Sequence, residues 1–236
     1  MSGSAHDGRR AAILAFDTAT TQVVVASGSP SGRLDGLTTW AAGYRHGETL
    51  LATIGRFLGE QNIRRSRLIG IVVGTGPGAF TGLRVGLATA KGLAHGLGLP
   101  LIGISTAEAL LAAATATDAE TGNGRTPVLL LPAGPSDRIV VRSGRPPALL
   151  PADMEPDLVA GEWLVAIDLE DRADADALER GAQARAGLGA TLVSLGAGRL
   201  AAGDLDDLAR LEPEYVTLPR GVRTVSGEVS WSRDPR

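Results

Sequence analysis

Three strand-forming runs stand ahead of the first helical pattern, and that order limits the folds open to this chain more than any other feature. Residues 13–18 (ILAFDT) and 22–28 (QVVVASG) are rich in Ile, Val and Phe, which fit extended backbone. The short polar segment Ala19-Thr20-Thr21 between them suits a tight hairpin. After the turn residues Ser29-Pro30-Ser31-Gly32, residues 33–41 supply a third strand. Leu50, Leu51, Ile54, Phe57 and Leu58 then fall on one stripe of a helix over residues 47–60.

Beyond that helix the pattern alternates. Residues 68–73 predict a strand, residues 82–96 a helix and residues 100–104 a strand. Ser105-Thr106-Ala107-Glu108 has the S-x-x-E form of a capping box and opens a helix carrying Leu110, Leu111 and Ala114. An antiparallel meander followed by α/β units is the order of a ribonuclease-H-like half, the unit that is doubled in the actin, hexokinase and Hsp70 superfamily. The rest of the chain predicts a reduced copy, with strands at 127–131, 138–142, 148–150 and 163–167. A short helix is expected at 154–160, and helical pattern returns at 173–186 and 190–202, with Gly187 and Gly189 blurring its register. The expected organisation is a disordered lead-in over 1–12, an N-terminal half over 13–118 and a polar, turn-rich linker near 119–125. A reduced C-terminal half over 126–219 and a fraying polar tail over 220–236 follow.

Composition removes several classes of function. The chain has no cysteine, which excludes disulfides, thiolate nucleophiles and Cys-ligated metal. The three histidines, His6, His46 and His95, lack the H-x-x-x-H spacing of a metallopeptidase, so no metal site is expected. No apolar run approaches the roughly 20 residues needed to span a bilayer, and the start is small and polar, so a cytoplasmic protein is expected. Charge is uneven: 10 Lys and Arg against 5 Asp and Glu up to Ser105, then 13 against 21.

Residues 74–96 (GTGPGAFTGLRVGLATAKGLAHG) pose the main functional question. A phosphate-binding Walker loop needs G-K-[ST], but Gly82 is followed by Leu83-Arg84. The match of 74–79 to G-x-G-x-x-[GA] lacks the acidic residue about 20 positions on that dinucleotide binding requires. Thr81 can cap the helix, and a helix start near Gly76 and Gly78 is suited to an anion. Inside the helix, Gly82, Gly86, Ala90 and Ala94 are spaced by four, with Ala88, Gly92 and Gly96 in a neighbouring row. A glycine in a helix interior costs about 0.8–1 kcal/mol relative to alanine. Close approach to the chain's own sheet, or to another subunit, is the compensation to look for.

Five sequence blocks carry a family resemblance. Residues 13–20 (ILAFDTAT), 45–48 (RHGE), 74–84 (GTGPGAFTGLR), 104–106 (IST) and 211–216 (LEPEYV) resemble motifs of the TsaB (YeaZ) family. The likeness is densest over 13–110 and returns at the closing block. It implies two ribonuclease-H-like halves of the ASKHA (actin-like ATPase) class, the second reduced. It further implies a non-catalytic subunit, without a cofactor, of the complex that adds a threonylcarbamoyl group to the adenosine beside the anticodon of tRNAs reading ANN codons. The implied partners are a TsaD-like catalytic subunit, a TsaE-like ATPase, tRNA through the complex and, in isolation, a second copy of the chain. The interface would involve Thr49, Leu50, Thr53, Ile54, Phe57, Arg84, Val85, Ala88, Thr89 and Gly92. Asp17, Thr20, Gly76, Gly78 and Thr81 are the candidates for an anion or nucleotide. The alternative function is a nucleotide-binding phosphotransferase of the same superfamily using Asp17. Its D-x-G-[ST] motif is altered here, with Ala19 in the glycine's place. One segment departs from the family pattern: Pro132 and Gly134 stand where Asp and Arg are usual.

Overall fold

The computed structural model describes residues 11–41, 46–120, 124–216, 223–225 and 228–230. Its first sheet has five strands: β1 (Ala12–Asp17), β2 (Gln22–Gly28), β3 (Leu34–Ala41), β4 (Leu68–Gly74) and β5 (Leu101–Ile104). Their spatial order is β3-β2-β1-β4-β5. The first three form an antiparallel meander, and β4 and β5 add in parallel to β1. Helices α1 (His46–Glu60), α2 (Phe80–Leu97) and α3 (Thr106–Glu120) connect them in the predicted order.

Alternation along β1 and β2 decides how these helices distribute. Leu14, Phe16, Val23 and Val25 point to one face, where Leu50, Ile54 and Phe57 of α1 and Leu87 and Ala90 of α2 close a core. Ile13, Ala15, Val24 and Ala26 point to the other, where they meet α3 and the long helix α4 (Ala175–Ala202). Both faces of the central strands are covered, which is why β1 and most of β2 are continuously apolar and buried.

The second sheet repeats the plan in reduced form. It holds β6 (Thr126–Ala133), β7 (Asp137–Val141), β8 (Ala148–Leu150) and β9 (Glu162–Ala166), ordered β8-β7-β6-β9. Again a meander is followed by a strand parallel to the first. No helix lies between β8 and β9 among the described residues. The helix expected at 154–160 is irregular chain, because Pro156 lacks an N–H and disfavours helical backbone at Glu155. The two helical patterns expected at 173–186 and 190–202 are one helix. Asp174 caps α4 by accepting from the Ala177 N–H at 2.8 Å, and Gly203 closes it in the left-handed region at φ 70°. Gly189 lies mid-helix where a Cβ would stand 2.6 Å from the Leu37 side chain. The glycine that blurs the sequence pattern is therefore where the helix presses on the first sheet. α4 sits with α3 between the two sheets, and residues of both sheets join one core around it.

Residues 1–10 and 121–123, on which much of the lead-in and linker expectations rest, lie outside the described residues. Of the expected tail, residues 220–222, 226–227 and 231–236 also lie outside the described residues, and the described part pairs β10 (Arg223–Val225) antiparallel with β11 (Glu228–Ser230). Among the described residues no helix is long and apolar enough to cross a membrane.

The two neighbouring leucines of α1 separate core from surface. Leu50 is fully buried and Leu51 is 58% exposed. Leu50→Ala is expected to cost about 2–5 kcal/mol, and Leu51→Ala to stay within about 0.5 kcal/mol, in urea denaturation. Equal losses would contradict the packing of α1 described here.

Candidate functional site

The carboxyl ends of β1, β4 and β5 bring together the blocks that stood out in the sequence. Asp17 ends β1 and is wholly buried. Its Oδ1 accepts from the Ala19 N–H at 2.8 Å, and its Oδ2 accepts from the Thr106 hydroxyl at 2.5 Å. Thr106 in turn accepts from the Gly76 N–H at 3.0 Å. One carboxylate thus ties the first hairpin, the glycine loop and the start of α3 into a single unit. Burial pushes the Asp17 carboxyl above its ordinary value, and the bonds from Thr106 and Ala19 only partly oppose it.

The glycines of 74–86 make room for that unit. A Cβ on Gly74 would stand 1.7 Å from Asp17 Oδ2. On Gly78 it would stand 2.2 Å from the Ala19 carbonyl oxygen, and on Gly82 2.0 Å from that of Thr18. Gly86 faces the Thr18 hydroxyl in the same way. Two hydrogen bonds lock the approach: Ala79 N–H to the Ala19 carbonyl at 2.7 Å, and the Thr18 hydroxyl to the Gly82 carbonyl at 2.7 Å. Gly82 and Gly86 therefore serve contact within the chain and not with another subunit. Gly92 and Gly96 differ, having no neighbouring atom within 4 Å of where a Cβ would be.

The closing block of the sequence lies against the same loop. The Glu214 carboxylate accepts from the Thr75 hydroxyl at 2.7 Å and lies 3.1 Å from the Ser105 hydroxyl, while its own N–H donates to the Thr75 carbonyl at 2.8 Å. Tyr215 packs on Phe80 with ring centroids 5.1 Å apart. The Arg84 guanidinium covers the other aromatic neighbour, 3.8 Å from the Phe80 centroid, and its Nε donates to the Tyr215 hydroxyl at 3.1 Å. Residues 74–84 and 211–216 are thus one contact surface. On the far side of the hairpin, Thr21 donates through its N–H and hydroxyl to Asp168, which also binds Arg185 at 2.7 Å. This joins the first hairpin to the end of β9 and to α4.

The five candidate anion residues are placed as follows. Asp17, Thr20 and Gly76 are buried, Gly78 is pressed against Ala19, and Thr81 alone is exposed. Thr81 does not cap α2, whose cap residue is Ala79 without a side-chain bond. Ser105 is only 3.5 Å from the Glu108 N–H, at the limit for a hydrogen bond, because its hydroxyl turns toward Gly76 and Glu214. The hydroxyls of Thr75 and Ser105 do bind an anion, and it is the chain's own Glu214. With Asp17 sealed, the phosphotransferase reading loses its magnesium residue. Beside this site an open cleft of about 500 Å³ is lined by Glu108, Arg142, Arg145, Asp206 and Glu212.

The candidate interface residues divide in two. Leu50, Ile54 and Phe57 are core, and Thr53 is 9% exposed, so these support α1 from beneath and do not reach a partner. Thr49, Arg84, Ala88 and Gly92 are exposed, and Val85 and Thr89 half-buried. Ala52, Gly55, Gly59 and Gly96 extend the same small-residue surface over α1 and α2. Thr106, Asp168 and Glu214 are not among the residues expected at the site. Thr106 and Glu214 had a visible signal, their places in the capping box at 105–108 and in the block 211–216; Asp168 had none. Of the departure, Pro132 lies in β6 opposite Arg138 and Gly134 opens the β6–β7 turn, where its carbonyl accepts from Arg172 at 3.1 Å.

Residues 33–146 match the family model described as TsaD, tRNA N6-adenosine threonylcarbamoyltransferase. An uncharacterized protein of Mycobacterium leprae is 38% identical over 102 residues, covering 42% of this chain and 28% of that protein. The tRNA threonylcarbamoyladenosine biosynthesis protein TsaB of Escherichia coli is 34% identical over 97 residues, 40% of each chain. The chain thus spans well under half the length of the curated relatives it matches. A solved structure of YeaZ from Pseudomonas aeruginosa superposes with a TM-score of 0.65 at 23% identity, covering 87% of this chain and 100% of that one. The fold is the expected one, two ribonuclease-H-like halves with the second reduced.

The raised Asp17 value fixes the sign of a pH effect. The folded chain holds this proton more tightly than the unfolded chain, so the contribution is full below the ordinary aspartate value of about 3.9 and is lost as pH rises through the raised one. Asp17→Asn cannot ionise. Its stability relative to wild type is therefore expected to improve from pH 4 to pH 8 in urea titrations. Parallel curves for the two proteins would show that Asp17 ionises freely in the fold.

Proposed function

We propose, on the likeness to the TsaB (YeaZ) family that the sequence blocks and the comparisons both support, that this chain is a non-catalytic subunit of a tRNA threonylcarbamoyladenosine-forming complex. It docks a TsaD-like catalytic subunit through the outer surfaces of α1 and α2, and a TsaE-like ATPase completes the assembly. In isolation the same surface pairs two copies of the chain. tRNA is the substrate of the complex, and this chain holds its partner in the active arrangement.

One observation carries the docking reading. Gly82 and Gly86 have an internal reason to be glycine, but Gly92 and Gly96 have open space beside them. Each of these costs helix stability of about 0.8–1 kcal/mol with no return inside the chain. Contact with a second helix at close range supplies the return, since backbone meets backbone where side chains are missing. Ala52, Gly55 and Ala88 complete a surface that is small in side chain and flanked by the exposed Leu51. The Gly74–Arg84 loop and the 211–216 strap stand behind this surface and hold the amino end of α2 in place.

Size-exclusion chromatography and titration with the TsaD-like partner test the reading. Gly92→Arg is expected to leave the circular dichroism spectrum unchanged and to weaken the complex by at least about tenfold, ~1.4 kcal/mol. A complex that never forms, or one as tight with Gly92→Arg as without it, overturns docking through α2. A partner that modifies tRNA equally well without this chain overturns the assigned role.

A further inference from the structure

The end of the first sheet opposite the Glu214 site carries a cluster of a different kind. Between α1 and β4 the chain makes a 3-10 turn, Arg65–Arg67, preceded by Arg64 in extended conformation. Arg64, Arg65 and Arg67 are all exposed. The turn is rooted at both ends. Ile63 packs on the core ahead of it and Leu68 is 4% exposed behind it. Three guanidinium groups are thereby held within four residues on a short, anchored projection.

Two acidic groups at this end of the sheet are paired with other arginines. Glu60 pairs with Arg56 on α1, and Asp35 pairs with Arg33 at 2.6 Å beside the neighbouring end of β3. Among the described residues, Arg64, Arg65 and Arg67 have no ion-pair partner. This placement suits a polyanion whose charges recur at intervals, because arginine donates in a planar fork to phosphate oxygens. The turn stands at the amino end of β4. β4 spans seven residues, so the turn and the Gly74–Gly76 loop stand about 20 Å apart at about 3.3 Å per residue.

We propose that the Arg64–Arg67 turn is a phosphate-backbone contact for tRNA, which would make this chain a direct holder of the substrate as well as a partner-binding subunit. The inference rests on the reading given under Proposed function for its choice of polyanion. Contacts of this kind position a nucleic acid without reading its sequence. Their mark is salt dependence, a slope of log affinity on log salt of about 0.7–0.9 for each phosphate neutralised.

The experiment compares the full chain with a variant carrying Arg64→Ala, Arg65→Ala and Arg67→Ala, alone and in complex with the TsaD-like partner. Fluorescence anisotropy with an unmodified tRNA transcript reads affinity from 50 to 200 mM salt. Vesicles containing phosphatidylserine serve as a competing anionic surface. The expected result is a salt slope lower by about 2–3 in the variant, with affinity at the lowest salt weaker by about tenfold. Partner binding in size exclusion is expected to be unchanged. Equal tRNA affinity and slope in the two proteins overturns the inference and leaves the docking reading standing. Arginine-dependent binding to vesicles without binding to tRNA overturns it as well. Arginine-dependent tRNA binding by a chain that forms no complex supports the inference and overturns the docking reading instead.

Discussion

Backbone meeting backbone at Thr18, Ala19 and the start of α2 is the contact on which the rest of this architecture depends. The carbonyl oxygens of Thr18 and Ala19 occupy the space that side chains on Gly82 and Gly78 would fill. Asp17, one residue before, is buried as a consequence and must find its partners in Ala19 and Thr106. A buried carboxylate without donors would cost several kcal/mol, so the hydroxyl of Thr106 and the turn at Ala19 are required by the close approach. From there the constraint spreads. Thr106 fixes Gly76, Gly76 leads into α2, and Ser105 and Thr75 present their hydroxyls to Glu214. A region that reads in sequence as a glycine loop for a ligand is in the fold a joint between four segments of one chain.

Much of the first half was legible because its signals are local. The meander, the amphipathic stripe of α1 and the alternating α/β order depend on periodicity and turn residues within a few positions. Helix α4 was legible only in pieces, since Gly187 and Gly189 weaken helical propensity while satisfying a packing demand set by α3 and by Leu37, far away in sequence. The expected interface shows the same limit. Leu50, Ile54 and Phe57 share a stripe with a preferred face, but periodicity cannot say whether that face meets the chain's own sheet or a partner. Here it meets Phe16 and Val25 in the core. The site was hidden for a further reason: Thr106, Asp168 and Glu214 are ordinary residues that matter through contacts spanning 89, 147 and 139 positions.

The strap at 211–216 gives two blocks distant in sequence, 74–84 and 211–216, a shared physical purpose. Glu214 satisfies two hydroxyls at the ends of β4 and β5, and Tyr215 and Arg84 both pack on Phe80 on the first turn of α2. In a nucleotide-binding site, groups at strand ends and helix starts are kept open for phosphate. In this chain they are filled by a carboxylate from the same polypeptide. The chemistry that suits the loop to an anion is retained, and it is spent on stability.

Charge distribution then bears on how such a chain can deal with RNA. The net charge is −3, and the residues after Ser105 carry 21 acidic against 13 basic groups, so the molecule as a whole repels a polyanion weakly. At physiological salt, fields of exposed charges fade over about 8 Å. What counts at the arginine turn is local: three guanidinium groups on an anchored turn, with Asp35 and Glu60 already paired to other arginines. A strongly basic protein attracts nucleic acid over its whole surface and in many orientations. A nearly neutral one with a single basic projection favours few orientations, which is the property a subunit needs if it is to present tRNA to an active site carried by its neighbour.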